Sequence, residues 1–133
     1  MVQPKCKTGP YGTKRWFLDT GELHREDGPA EEWENGGKFW YRHGEPHRED
    51  GAAAEYSDGT KCWYLNGKAH REDGPAVEYP DGKKKYWFEG RPIRKSDYPF
   101  IKLMKVLKIE NIKLIKKMVE DEPEMYSSWL MRL

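Results

Sequence analysis

A mainly β protein with an α-helical C-terminus is the fold class that the sequence predicts: an antiparallel meander of 23-residue β-hairpin repeats capped by two or three helices. Three observations predict it. The tetrapeptide HRED begins at His24, His47 and His70 and is followed in register by Gly28, Gly51 and Gly74, so the chain repeats every 23 residues. A period of this size signals stacked supersecondary units that cannot bury their surfaces alone. Each repeat carries two X-Gly turn signals, and beyond residue 95 the apolar spacing becomes helical.

Residues 1–10 read as an N-terminal extension, residues 11–95 as the repeats and residues 96–133 as a helical cap of the same domain. One turn series is His43-Gly44, Asn66-Gly67 and Glu89-Gly90; the other is Asn35-Gly36, Asp58-Gly59 and Asp81-Gly82. X-Gly pairs between aromatic and β-branched runs favour two-residue hairpins. A loop at Asn66-Gly67 sets Trp63 opposite His70, Tyr64 opposite Ala69 and Lys61 opposite Glu72. The same arithmetic pairs Trp40 with His47 and Lys38 with Glu49. In the first unit the longer loop Asp19-Thr20-Gly21 still pairs Trp16 with His24 and Lys14 with Glu26. A two-residue loop at Asp81-Gly82 sets Glu78 opposite Lys85. Gly74-Pro75 predicts a bulge or kink, because Pro cannot donate a ladder hydrogen bond.

After the repeats, Asp97 reads as the N-cap of a helix with Pro99 in its first turn and Phe100, Leu103, Met104 and Leu107 on its apolar face. Asn111 opens a second stretch with Ile112, Ile115, Met118 and Val119, and Pro123 a third with Met125, Trp129 and Leu130. Lys102, Lys105, Lys113 and Lys116 are expected on solvated faces.

Composition narrows the function. The chain is 35% charged, yet 14% aromatic, with six Trp and eight Tyr, and so is too rich in rings for a disordered segment. Lys and Arg number 24 against 23 Asp and Glu, which gives no support to nucleic-acid binding. Residues 1–95 hold 17 basic and 17 acidic groups, so neither part is a charged tail. The run Lys83-Lys84-Lys85 reads as an edge feature that discourages aggregation. Cys6 and Cys62 form neither a zinc site nor a secreted disulfide framework, and no apolar run approaches the ~20 residues of a membrane span. A cytoplasmic location follows as an expectation.

Histidine beside acidic residues invites a metal or catalytic reading. The period opposes it, since His24, His47 and His70 recur with the same neighbours along a sheet instead of converging. Trp16, Trp40 and Trp63 with His24, His47 and His70 are therefore expected to be structural, each His stacked on its Trp. No phosphate loop, dinucleotide-binding glycine motif or nucleophile elbow is present. The expectations are no catalytic residue, metal or cofactor, and a noncatalytic protein-binding module. Strand alternation sets Phe17, Phe39, Tyr41, Arg48, Tyr64, Arg71 and Trp87 on the face opposite Trp63, and these residues are the candidate partner surface.

At WYLNGK, with YPDGK downstream and the 23-residue period, the chain resembles the MORN family and its variants over about residues 11–95. HREDGPA is similar to a motif in repeat proteins of phages and bacteria. The resemblance implies short β-hairpin units that supply a binding or scaffolding surface. It extends the reading to a phage-encoded inhibitor that occludes a host defence complex. A nucleotide or small-ligand sequestering protein and a structural scaffold component stand as alternatives.

Overall fold

The structure is a computed structural model and describes residues 3–130. The chain divides into two compact units, residues 1–93 and 94–133. The described residues of the first unit form a nine-stranded antiparallel sheet and two short hairpins. The strands are β1 (Lys5–Thr8), β2 (Lys14–Phe17), β3 (Glu31–Glu32), β4 (Lys38–Phe39), β5 (Tyr41–Arg42), β6 (Glu45–Pro46), β7 (Ala54–Glu55), β8 (Lys61–Cys62), β9 (Tyr64–Leu65), β10 (Lys68–Ala69), β11 (Val77–Glu78), β12 (Lys84–Phe88) and β13 (Arg91–Ile93). The large sheet runs β1-β2-β3-β4-β7-β8-β11-β12-β13, while β5 pairs with β6 and β9 with β10. The expected N-terminal extension thus contributes a strand, since β1 pairs with β2 from Lys5↔Phe17 to Thr8↔Lys14.

The two turn series have different geometries. At Asn66-Gly67 both residues have positive φ, 48° and 78°, the two-residue turn whose twist suits a hairpin. It sets Tyr64 opposite Ala69 and lets the His70 N–H donate to the Trp63 carbonyl at 3.1 Å. His24 and His47 donate likewise to Trp16 and Trp40, each at 3.0 Å, so the expected Trp–His backbone pairing is present in all three units. At Asp81-Gly82 the loop is one residue longer. Tyr79 N–H donates to Lys83 O at 2.9 Å and the Asp81 carboxylate accepts from Lys83 N–H at 2.9 Å, so Glu78 lies opposite Lys84 and Val77 opposite Lys85. The expected Glu78–Lys85 pair is therefore displaced by one position.

The expected pairs Lys61–Glu72, Lys38–Glu49 and Lys14–Glu26 do not form. The strands that carry these lysines lie in the large sheet ahead of their Trp, where Lys61 pairs with Glu55 and Glu78. Lys38 lies between Glu32 and Glu55, and Lys14 lies opposite Glu32. One row thus reads Lys14, Glu32, Lys38, Glu55, Lys61, Glu78, Lys84 across successive strands, each pair of neighbours opposite in charge. Such cross-strand pairs contribute roughly 0.2–1 kcal/mol each. The core beneath is thin and built of small side chains: Ala30, Ala53 and Ala76 are fully buried or nearly so, with Phe39, Ala54 and Cys62 beside them.

The second unit begins with a 3-10 turn, Lys95–Asp97, and continues as α1 (Tyr98–Leu107), α2 (Ile112–Asp121) and α3 (Pro123–Leu130). Pro99 fits the first turn of α1, where no intrahelical donor is needed, and the Asn111 side chain caps α2 by accepting from Leu114 N–H at 3.2 Å. Asp97 stands at the N-cap position of α1 as expected, but its side chain does not bond the helix: the carboxylate accepts from Arg94 N–H at 2.9 Å and from Lys116 Nζ at 2.8 Å. Lys116 is accordingly drawn off the solvated face and also lies 5.6 Å from the Phe100 ring centre. Among the described residues of this unit the buried apolar ones are Ile101, Leu103 and Ile115, whereas Leu107 of the expected face is exposed. Side chains beyond Tyr126, including Trp129 and Leu130, lie outside the described residues.

Candidate functional site

The HREDGPA segment stops being a strand after its histidine, and its arginine turns back over the hairpin. Arg25, Arg48 and Arg71 lie over Trp16, Trp40 and Trp63, with guanidinium carbons 3.9, 3.8 and 3.9 Å from the ring centres. Cation–π contact of this kind contributes about 0.5–2 kcal/mol. Each Nε donates to the aspartate two residues on, Asp27, Asp50 or Asp73, at 2.9–3.0 Å. A terminal nitrogen donates to the carbonyl of Pro29, Ala52 or Pro75 and faces Glu32, Glu55 or Glu78 at 3.2–3.5 Å. The glycine completes the arrangement by having no side chain: a Cβ on Gly74 would lie 2.9 Å from the Arg71 guanidinium carbon.

The histidines join one repeat to the next. His24, His47 and His70 are buried, and their Nδ1 atoms accept the backbone N–H of His43, Asn66 and Glu89 at 3.0, 2.9 and 2.9 Å. Because the donor is a main-chain amide, Nδ1 is the unprotonated nitrogen and Nε2 carries the proton; in His70 it donates to Glu72 at 3.2 Å, whereas in His24 and His47 Nε2 lies 3.6 and 3.4 Å from Glu26 and Glu49, and the buried His47 Nε2 has no hydrogen-bond partner among the described residues. Arg25, Arg48 and Arg71 add a backbone link by donating N–H to the carbonyls of Tyr41, Tyr64 and Trp87 at 3.1–3.2 Å. What stacks on each Trp is the arginine, and the expected His-on-Trp stacking gives way to this arrangement.

The candidate partner residues separate into groups. Phe39 is 7% exposed and belongs to the core with Ala54 and Cys62. Arg48 and Arg71, expected opposite Trp63, occupy the tryptophan side, because alternation ends where the strand ends. Tyr41 and Tyr64 are half-buried against the Phe39 cluster. Burial raises the hydroxyl pKa of both, and Glu31 adds to this at Tyr41 and Cys62 at Tyr64. Phe17 and Trp87 are half-buried, with Lys7 Nζ 5.6 Å from the Phe17 ring centre.

Two exposed rings extend this surface. Trp33 is 40% and Tyr56 43% exposed, and both pack on Phe39, with ring centres 4.9 and 5.1 Å away. The Trp33 indole N–H donates to Glu31. Their signal in the sequence is their position: Trp33, Tyr56 and Tyr79 stand 23 residues apart, each immediately before a three-residue turn. Burial also pushes the Cys62 thiol above its ordinary value, so it is a packing group.

A cleft of about 480 Å³ is lined by Gln3, Pro4, Leu18, His24, Glu26, Asp27 and His43. Its charged lining is acidic. Among the described residues no three His, Cys, Asp or Glu side chains are grouped as a metal would require, and no helix is long and apolar enough to cross a membrane. No family model matches the chain, and no curated protein or solved structure matches it.

Proposed function

We propose that the chain is a noncatalytic protein-binding module whose β-hairpin repeats form a rigid support for a surface of aromatic rings. The observation that carries this reading is the ring cluster Trp33, Tyr41, Tyr56 and Tyr64 around buried Phe39: large rings, held by packing and partly open to solvent. Tyr and Trp are the residue types enriched at interface hot spots, and rings fixed in advance lose little conformational entropy on binding. The arginines of the HRED motif are engaged within the repeats, so the surface moves from Arg48 and Arg71 toward Trp33 and Tyr56. MORN-like kinship and a host defence complex as the occluded partner rest on the sequence resemblance.

The double substitution Trp33→Ala with Tyr56→Ala tests the proposal. A partner captured by the intact protein should bind the variant more weakly by more than ~2 kcal/mol, with the melting transition retained. Unchanged affinity in a folded variant overturns it. A small-ligand reading draws on the cleft beside His24 and His43, whose Glu26 and Asp27 suit a cation better than an anionic nucleotide. Mass spectrometry of small molecules released from the purified protein separates the two readings.

A further inference from the structure

The two ends of the nine-stranded sheet are built differently. At one end β13 pairs with β12 through Phe88↔Arg91, Trp87↔Pro92 and Tyr86↔Ile93. In an antiparallel ladder alternate residues direct their main-chain groups inward and outward. The two-residue turn Glu89-Gly90 makes Phe88↔Arg91 an inward pair, so the outward position is Pro92, which has no N–H to offer. Proline there closes that edge to further strand pairing.

At the other end β1 pairs only with β2, and all four of its residues are exposed. Gly9 N–H donates to Thr13 O at 2.8 Å, which makes Gly9, Lys7 and Lys5 the inward positions. Cys6 and Thr8 therefore direct their N–H and C=O groups outward, and among the described residues no strand takes them up. The charge pattern also changes here. Lys7 faces Arg15, a like charge, and Thr8 stands opposite Lys14 where the later strands place Glu32, Glu55 and Glu78. Lys5 and Lys7 lie two residues apart on one face, with Lys5 3.6 Å from Asp19 and 77% exposed.

We propose that β1 is an open edge that accepts an extended acidic segment of a partner protein as an additional antiparallel strand. Main-chain hydrogen bonds from Cys6 and Thr8 supply the pairing, and two carboxylates at alternate positions of the segment face Lys5 and Lys7. A second copy of this chain fits poorly, because antiparallel self-pairing about Cys6 sets Lys5 against Lys7 on both sides, and like charges directly opposite are destabilising. This surface is separate from the ring cluster and stands whether or not that cluster binds.

The test is backbone-amide NMR of the full chain with a capped synthetic peptide alternating glutamate with valine, against its lysine-for-glutamate counterpart. The acidic peptide should shift the Cys6 and Thr8 amides and slow their exchange, and the lysine peptide should not. Cys6→Pro removes an outward donor without touching the β1–β2 ladder, and should weaken binding about tenfold or more. Lys5→Glu with Lys7→Glu should reverse the preference between the peptides, which decides the matter even if Cys6→Pro disturbs folding. The proposal is overturned if the Cys6 and Thr8 amides stay unprotected at millimolar acidic peptide, or if the charge reversal leaves the preference unchanged. It is equally overturned if the chain forms a Cys6–Cys6 cross-linked dimer through this edge.

Discussion

The repeat unit and the helical unit hold themselves together by different means. In the helices a few aliphatic side chains are buried almost completely, Leu103 and Ile115 at 1% and 0% exposure, and one buried carboxylate ties two elements. In the repeats the fully buried side chains are alanines, Phe39 is the one large ring among the described buried residues, and Trp16, Trp40 and Trp63 are half-buried beneath an arginine. A thin sheet cannot bury a Trp completely, so a guanidinium and its carboxylates serve as the second layer. The lesson is that a chain that is 35% charged can fold without a thick apolar core if its charges recur in register. Damage should then differ in kind: loss of aliphatic volume should dominate in one unit, and loss of geometry in the other.

The largest effect is expected from Ile115→Ala, which empties a fully buried site and should destabilise the helical unit by about 2–4 kcal/mol in chemical denaturation. If amide exchange in the repeats is unchanged by it, the two units are energetically distinct. Next is Gly74→Ala, which adds one methyl where the Arg71 guanidinium lies 2.9 Å away and should cost about 1–3 kcal/mol in the repeats. The same change at Gly9, with φ -89° and no contact closer than 3.7 Å for an added Cβ, meets neither clash nor left-handed strain, so an equal cost there would break the account of Gly74.

Asp97 sharpens the comparison through pH. Burial pushes its carboxyl up, but the hydrogen bonds from Lys116 and Arg94 and their charges outweigh this and hold it below the usual carboxylate range. A folded-state value below the unfolded one stabilises the fold fully above the unfolded value, and this contribution disappears as pH falls through the folded value. Asp97→Asn should therefore lower the melting temperature at pH 6 and bring wild type and variant together at the acid end of the titration. A constant gap would show that the pair contributes no pH-dependent stability.

Much of the fold was legible because the repeats announce their turns. Asn66-Gly67 gave both the hairpin and the Trp63–His70 pairing, and Pro99, Asn111 and Pro123 marked the helix starts. The slip at Glu78 came from reading Asp81-Gly82 as a two-residue loop, when the Asp81 side chain accepts a main-chain N–H and closes a longer one. The face of Arg71 departs from alternation for a related reason: alternation holds only while a strand continues, and β10 ends at Ala69, after which Asp73 and the Pro75 carbonyl hold the Arg71 guanidinium. Lys116 looked like a solvated residue because its partner Asp97 is 19 positions away. Trp33 and Tyr56 were within reach, since the repeat period itself aligns them.

The smallest of these signals tests the central claim most directly, namely that the HRED motif is a structural joint which links each repeat to the next. Imidazole ¹⁵N NMR at neutral pH reports which ring nitrogen carries the proton. For His24, His47 and His70 the structure predicts a protonated Nε2 and an Nδ1 that accepts a hydrogen bond, with the amides of His43, Asn66 and Glu89 protected from exchange. A protonated Nδ1 in these three histidines, or fast exchange at those three amides, would contradict the joint.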